Sequence, residues 1–194
     1  MEFSFSAVAT REEAISVAKE VMSRQPIYLD TETTGLNDND EIIEIVIIDH
    51  AGSLKLESLV RPTILIPPSS TRIHGISDLM VRQAPFWNSV WPQVNDLFKD
   101  HVICTYNSEF DKRMIQQSHR KFKIPWNPGH TFFDIMGLFS IFNHEWDPIH
   151  RSYKLIRLEN AGSLLGIHLP NSHRALDDSR LARAVLHSIA GLPY

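Results

Sequence analysis

The apolar run Ile27-Tyr28-Leu29 leads straight into Asp30-Thr31-Glu32-Thr33-Thr34-Gly35, and that junction sets the strongest condition on the fold. The run reads as a buried strand. Residues two apart on a strand share a face, so Asp30 and Glu32 project together. Like charges at a buried strand end repel, and burial makes each costlier still. A divalent cation removes both penalties, and hard carboxylate oxygens suit Mg²⁺ or Mn²⁺. The chain must therefore bring further ligand residues to the end of this strand.

The rest of the pattern alternates strand and helix. Thr10-Arg11-Glu12-Glu13 fits a capping box that opens an amphipathic helix to about Arg24. Pro26 separates it from the first strand. Ile42 to Ile48 is a β-branched second strand, and Leu54 to Val60 alternates as a third. These three strands read as consecutive antiparallel hairpins. Ser77 to Phe98 is read as helical, with Pro85 and Pro92 delimiting turns. His101 to Tyr106 is a fourth strand, Glu109 to about Lys121 a helix, and Thr131 to Phe133 a short fifth strand. Asp134 is read as the N-cap of a helix to about Phe142. A polar, partly basic loop is expected from Asn143 to Ser152, then helices over Leu155 to Leu165 and Arg174 to Ile189. Three hairpin strands followed by alternating strands and helices imply a mixed sheet covered by helices.

Two later segments carry candidate partners for Asp30 and Glu32. Asp111 sits in the first turn of the helix after strand four. Ser108-Glu109-Phe110-Asp111 also fits a capping box, which alone would explain the carboxylate. Phe110 and Met114 form an apolar i, i+4 pair, however, which places Asp111 at the edge of the buried face. In His173-Arg174-Ala175-Leu176-Asp177-Asp178, the helical period puts Asp178 with Leu181, Ala182 and Val185 on the inward face. Asp177 falls with Arg180 on the outer face. His173, just before this helix, can swing over the mouth of a site and act as a base near neutral pH.

With these motifs in order, the chain resembles the DEDD superfamily of 3′–5′ exonucleases, in its histidine-bearing DnaQ-like branch, DEDDh. The resemblance rests on Asp30 to Leu36, Asn107 to Asp111 and His173 to Asp178. Ile73-His74-Gly75-Ile76-Ser77, Tyr153-Lys154-Leu155 and Leu165-Gly166-Ile167 also resemble family segments. It implies an α/β, RNase H-like fold: a five-stranded mixed sheet, its first three strands antiparallel, flanked by helices. It implies that Asp30, Glu32, Asp111 and Asp178 bind two Mg²⁺ or Mn²⁺ ions, with His173 as general base. Thr33, Gly35, Leu36, Ile73, His74 and Asn107 would hold the terminal nucleotide, Leu36 wedging against its base. Some proofreading members carry an acidic residue shortly before the His-Gly-Ile segment, where this chain has Ser69 and Ser70. Residues 1–194 are expected to form one exonuclease domain, with residues 1–25 as a helical extension packed on it.

The totals agree with a metal-dependent nuclease. A net charge of -4 argues against broad, nonspecific polyanion binding but not against a local basic groove. Metals that grip the phosphate directly reduce the need for basic side chains. Basic residues cluster at Arg120, Lys121 and Lys123 and again at His150, Arg151, Lys154 and Arg157. The first group suits a helix end and the second phosphate contact. A single cysteine, Cys104, excludes an internal disulfide, and a zinc motif is missing. No stretch reaches the roughly 18 apolar residues of a membrane span, so a cytoplasmic location is expected. The substrate expected is a single-stranded or frayed 3′ end, DNA ahead of RNA, released as nucleoside 5′-monophosphates. RNA end trimming is the alternative within the enzyme class. A polymerase-associated subunit or a catalytically dead binding module is the alternative outside it, although a dead module should show a broken motif and none is broken.

Overall fold

Thr10 and Glu13 form the reciprocal cap expected of them. The Thr10 hydroxyl accepts from the Glu13 N–H at 3.2 Å, and the Glu13 carboxylate accepts from the Thr10 N–H at 3.0 Å. They open α1 (Arg11–Ser23), whose Ala14, Ala18 and Val21 are buried. The computed structural model describes residues 10–170 and 172–194. Five strands follow in one sheet: β1 (Ile27–Thr33), β2 (Ile42–Ile48), β3 (Leu54–Leu59), β4 (Val102–Thr105) and β5 (Thr131–Asp134). Their spatial order is β3-β2-β1-β4-β5. β1 pairs antiparallel with β2, and β2 with β3, whereas β4 runs parallel to β1 and β5 parallel to β4. The mixed sheet with an antiparallel first half is the one the sequence predicts.

Alternation along β1 creates two cores. Tyr28, Val46 and Ile48 face α1, α6 (Ile135–Asn143) and α8 (Ala175–Ala190). Ile27, Leu29, Ile45 and Ile47 face α4 (Trp87–Phe98) and α5 (Ser108–Phe122). All seven residues of β2 are buried, as expected of a strand covered on both faces. Between β1 and β4 the chain leaves the sheet in opposite directions, and at such a switch point the strand ends open a crevice. Both β1 and β4 point their C-terminal ends into it.

Two segments differ from the expectation. Residues 68–98 make three helices, α2 (Pro68–His74), α3 (Asp78–Val81) and α4, not one interrupted helix from Ser77. Gly75 closes α2 at φ 75°, and Pro85 cannot continue the α3 ladder. Pro92 lies inside α4 without ending it. The expected loop from Asn143 holds a small hairpin, β6 (Trp146–Asp147) with β7 (Ser152–Tyr153). Strands of two residues are too short to show a period. The last pieces, α7 (Leu158–Leu164) and α8, pack tightly: a Cβ on Gly162 would lie 2.9 Å from Leu181 Cδ1. Among the described residues, no helix is long and apolar enough to cross a membrane.

Candidate active site

Asp30 and Glu32 project from β1 toward α8, on the face of Tyr28. Leu181, Ala182, Val185 and Ile189 are buried in α8 and seat it in the core beneath the sheet. Asp178, one turn earlier on the same stripe, is thereby carried to the end of β1. One oxygen from each of Asp30, Glu32 and Asp178 lies within 4.8 Å of the other two. Asp178 is buried, and Asp177 is more exposed and accepts from the Ser172 hydroxyl at 2.6 Å. The inward assignment of Asp178 holds, although the partner of Asp177 is Ser172, not Arg180.

Asp111 approaches from the opposite side of the sheet. The predicted Ser108 capping box does not form: Asn107 is the N-cap residue, with no side-chain cap bond. Instead the Thr31 hydroxyl, pointing away from Asp30 and Glu32, donates to Asp111 Oδ1 at 2.8 Å. Asp111 is buried and adds to the negative field on Asp30. It is not one of the three mutually close carboxylates.

The electrostatics are those of charges lacking a counterion. Burial first, then repulsion from Asp111, Glu32 and Asp178, holds Asp30 well above the usual carboxylate range. Burial and repulsion from Asp178 and Glu44 push Glu32 up to about 8. Burial pushes Asp111 up to about 7, and Asp178 up to about 6, with His173 opposing the latter shift. Asp178 Oδ1 is buried and has no hydrogen-bond partner among the described residues. A hard cation fits this oxygen set, since it supplies both the missing partner and the missing charge.

The other predicted residues surround this cluster. His173 has its side chain half exposed, with Nδ1 4.0 Å from Asp178 Oδ2. It stands at φ 52°, so the backbone turns sharply just before α8. His74 is buried; the Ile76 N–H donates to its Nδ1 at 3.0 Å, which places its own hydrogen on Nε2. That Nε2 makes no close hydrogen bond among the described residues, although the Thr33 carbonyl lies near enough to oppose the lowering of the ring's pKa by burial. The Thr33 hydroxyl donates to the Gly35 carbonyl at 2.7 Å. A Cβ on Gly35 would sit 2.6 Å from Asp40 Oδ2, a carboxylate that also accepts from the Thr34 hydroxyl and the Asn37 N–H at 2.7 Å each. This packed loop leaves Leu36 71% exposed, its carbonyl accepting from Arg113 at 3.2 Å. The Ser70 hydroxyl donates to the Thr34 carbonyl at 2.7 Å and ties α2 to the loop. Ile73 is exposed on α2. Asn107 is exposed at φ 79°. Asp134 Oδ1 accepts from the N–H groups of Asn107 and Ser108 at 3.0 and 3.2 Å, while its other oxygen caps Gly137.

Sequence reasoning missed Glu44 and Arg174. Glu44 lies directly across from Glu32 in the β1–β2 ladder and is almost fully buried. Arg174 Nε donates to Glu44 Oε2 at 3.1 Å, Nη2 bonds Oε1, and the Ala175 N–H donates to Oε2 at 3.0 Å. The fork fixes the start of α8 on the sheet, and Arg174 partly offsets the repulsion that Glu44 exerts on Glu32. The signal was present: a lone acid in the all-apolar run from Ile42 to Ile48 must have a buried partner.

A family model described as exonuclease, RNase_T, matches residues 27–186, which spans all of these positions. The chain belongs to this exonuclease family. The expected DnaQ-like, RNase H-like assignment therefore stands, and the protein is an exonuclease in class. The exonuclease is 36% identical over 180 residues to an uncharacterized exonuclease, CP81, of Escherichia phage 186, covering 89% of this chain and 92% of that one. It is 32% identical over 155 residues to the 3′-5′ exonuclease DinG of Staphylococcus aureus, covering 78% of this chain but only 16% of DinG. Among solved structures it is similar to exonuclease X in complex with 5′ overhanging duplex DNA, with TM-score 0.65 and 25% identity over 85% of this chain and 90% of that one. Exonucleases of this type use divalent metal ions, in keeping with the acidic cluster.

Proposed function

We propose that this exonuclease removes nucleotides from single-stranded or frayed 3′ ends of DNA as nucleoside 5′-monophosphates. The observation that carries the reading is the meeting of Asp30, Glu32 and Asp178 within 4.8 Å, with His173 beside Asp178 at 4.0 Å. The 3′-5′ name of the staphylococcal relative and the DNA in the exonuclease X complex support polarity and substrate. The acidic net charge suits a substrate gripped through metals at one phosphate.

Asp30, Glu32 and Asp178 would hold the two cations, Mg²⁺ or Mn²⁺, with Asp111 completing the charge. Bound there, cations would polarise the scissile phosphate and acidify the attacking water. His173 takes the water proton: its Nδ1 is turned toward Asp178, which leaves Nε2 as the accepting atom. The new P–O bond forms as the bond from phosphorus to the 3′ oxygen breaks, and that oxygen takes a proton from solvent. His74 remains neutral and offers its Nε2–H to an oxygen of the terminal nucleotide. Gly35, Leu36 and Thr33 present the rigid loop against which its base rests, with Ile73 and Asn107 at the rim.

A 5′-labelled single strand incubated with Mn²⁺ tests this directly. A ladder of shortened labelled products is expected, abolished by Asp30→Ala or by chelator. Release of the label as a mononucleotide would reverse the polarity, and an intact strand would remove the activity. The same strand ending in a ribonucleotide separates DNA from RNA preference.

A further inference from the structure

Leu36 stands at the tip of the loop that follows β1, largely open to solvent. A lone exposed leucine is ordinary on a protein surface, so exposure alone says nothing. Its mounting does. The base of the loop is closed in both directions: the Thr34 N–H donates to the Glu41 carbonyl at 2.9 Å, and the Glu41 N–H donates to the Thr34 hydroxyl at 3.0 Å. Asp40 fills the middle, bonded to Thr34 and Asn37 and packed under Gly35. Ordering backbone costs entropy residue by residue, and surface loops are commonly left looser than this one.

The tip is also held from outside the loop. Arg113 Nη1, 77 residues away in sequence, donates to the Leu36 carbonyl at 3.2 Å. The same nitrogen lies 3.7 Å from Asp38 Oδ1, and the guanidinium stands 5.5 Å from the centre of the Phe110 ring. The contact with Asp38 is long and exposed and adds little, so the Leu36 carbonyl is the firmer partner. Arg113 belongs to α5, two residues beyond Asp111, which is buried and bonded to Thr31. The first turns of one helix therefore hold both a carboxylate of the pocket and the backbone of the exposed leucine. Leu36 itself follows Glu32 by four residues.

We infer that Arg113 is a positioning residue that braces Leu36 against the last base pair of a paired 3′ end, and so sets how well this exonuclease accepts paired ends relative to unpaired ones. A single strand offers its terminal nucleotide already free, and a yielding loop suffices for it. A paired end must be unstacked before its last phosphate reaches the carboxylates. A side chain enters that stack only if its own backbone does not give way. The guanidinium is turned toward a carbonyl and a carboxylate of the loop, an orientation that suits a brace and not a phosphate clamp. The inference rests on the exonuclease reading, with Leu36 beside the terminal base, and adds the residue that decides which ends are degraded.

The test compares wild type, Arg113→Ala, Arg113→Lys, Leu36→Ala and the double variant Arg113→Ala/Leu36→Ala. The 5′-labelled substrates are an oligothymidylate, a DNA hairpin with a blunt 3′ end, and the same hairpin with its terminal pair mismatched. Arg113→Ala should keep kcat/KM on the single strand within about twofold of wild type and lose up to about tenfold on the paired hairpin, the factor that one stacked pair is worth. The mismatch should recover most of that loss. Arg113→Lys keeps the charge but not the fork and should recover the paired hairpin only in part. The double variant should lose no more on it than Leu36→Ala alone. Equal loss on all three substrates, with full rescue by lysine, would make Arg113 a phosphate contact and overturn the inference. So would additive losses in the double variant, wild-type rates of Arg113→Ala on the paired hairpin, or a wild type that degrades the single strand and leaves both hairpins intact. If wild type degrades no substrate, the exonuclease reading fails instead. Fluorescence of 2-aminopurine at the hairpin 3′ end, read at saturating protein in Ca²⁺, then still decides the role of Arg113. Wild type should brighten it by unstacking the base and Arg113→Ala should brighten it less; equal signals, or none from wild type, would overturn the inference.

Discussion

Replacing Asp178 with Asn should stabilise the metal-free protein near neutral pH while abolishing its activity. Asp178 is buried beside Asp30 and Glu32, and its Oδ1 has no hydrogen-bond partner among the described residues. Raising its carboxyl from 3.8 to about 6 makes ionisation costlier in the folded protein by about 3 kcal/mol. Solvent at the pocket mouth and the interaction with His173 reduce that figure, so a gain of about 1–2 kcal/mol is expected, or about 3–6 °C in Tm. The sign follows from linkage. With a raised folded pKa, the folded state binds more protons than the unfolded state between the two values. The wild-type penalty is therefore complete above about 6 and disappears below 3.8. Thermal melts of both proteins in chelator, from about pH 3.5 to 8, should converge at the acid end. Saturating Mn²⁺ should then stabilise wild type more than the variant and close or invert the gap. A variant that is less stable in chelator near neutral pH, or that gains as much from Mn²⁺ as wild type, would refute the reasoning.

Three further outcomes follow from the geometry. His173→Ala should slow strand degradation by about 10²–10⁴-fold while keeping the wild-type rise in Tm with Mn²⁺, as expected of a ring that takes the water proton without ligating a cation in the proposed mechanism. Glu44→Gln should cost about 2 kcal/mol and weaken apparent Mn²⁺ affinity, read by denaturant melts and by activity against Mn²⁺ concentration, since Arg174 and the Ala175 N–H lose the charge that anchors α8. His119, His130 and His187 all have pKa values lowered by burial. Protonation is therefore favoured in the unfolded state, so stability is complete above the unfolded value of 6.5 and declines as pH falls through it. Melts with Mg²⁺ saturating the acidic cluster should show this acid limb, and His119→Leu should flatten it.

The residues differed in how openly the sequence declared them. Asp30 and Glu32 were legible because a period of two fixes one face of a strand whatever the tertiary context. Asp178 could be told from Asp177 because the helical period sets it on the same stripe as Leu181, Ala182 and Val185, all buried in α8. Asp111 was ambiguous at the level of the chain, where a capping role and a site role share the same spacing. Only the Thr31 hydroxyl, 80 residues away in sequence, separates them. The Glu44–Arg174 fork spans 130 residues, and nothing local to either residue names the other. Gly35 is required by the side chain of Asp40, not by a positive φ, so its reason is tertiary. The β6–β7 hairpin escaped because its pairing is two residues long and its apolar groups face outward, opposite to the usual pattern of burial.

The account depends on carboxylates from β1 and α8 sharing cations, and Mn²⁺ binding measures that without reference to turnover. Electron paramagnetic resonance of free Mn²⁺, titrated with protein in the presence of thymidine 5′-monophosphate, should show two ions taken up per wild-type chain. Asp30→Asn and Asp178→Asn should each lose that uptake while melting cooperatively. Equal uptake by all three proteins would contradict the account.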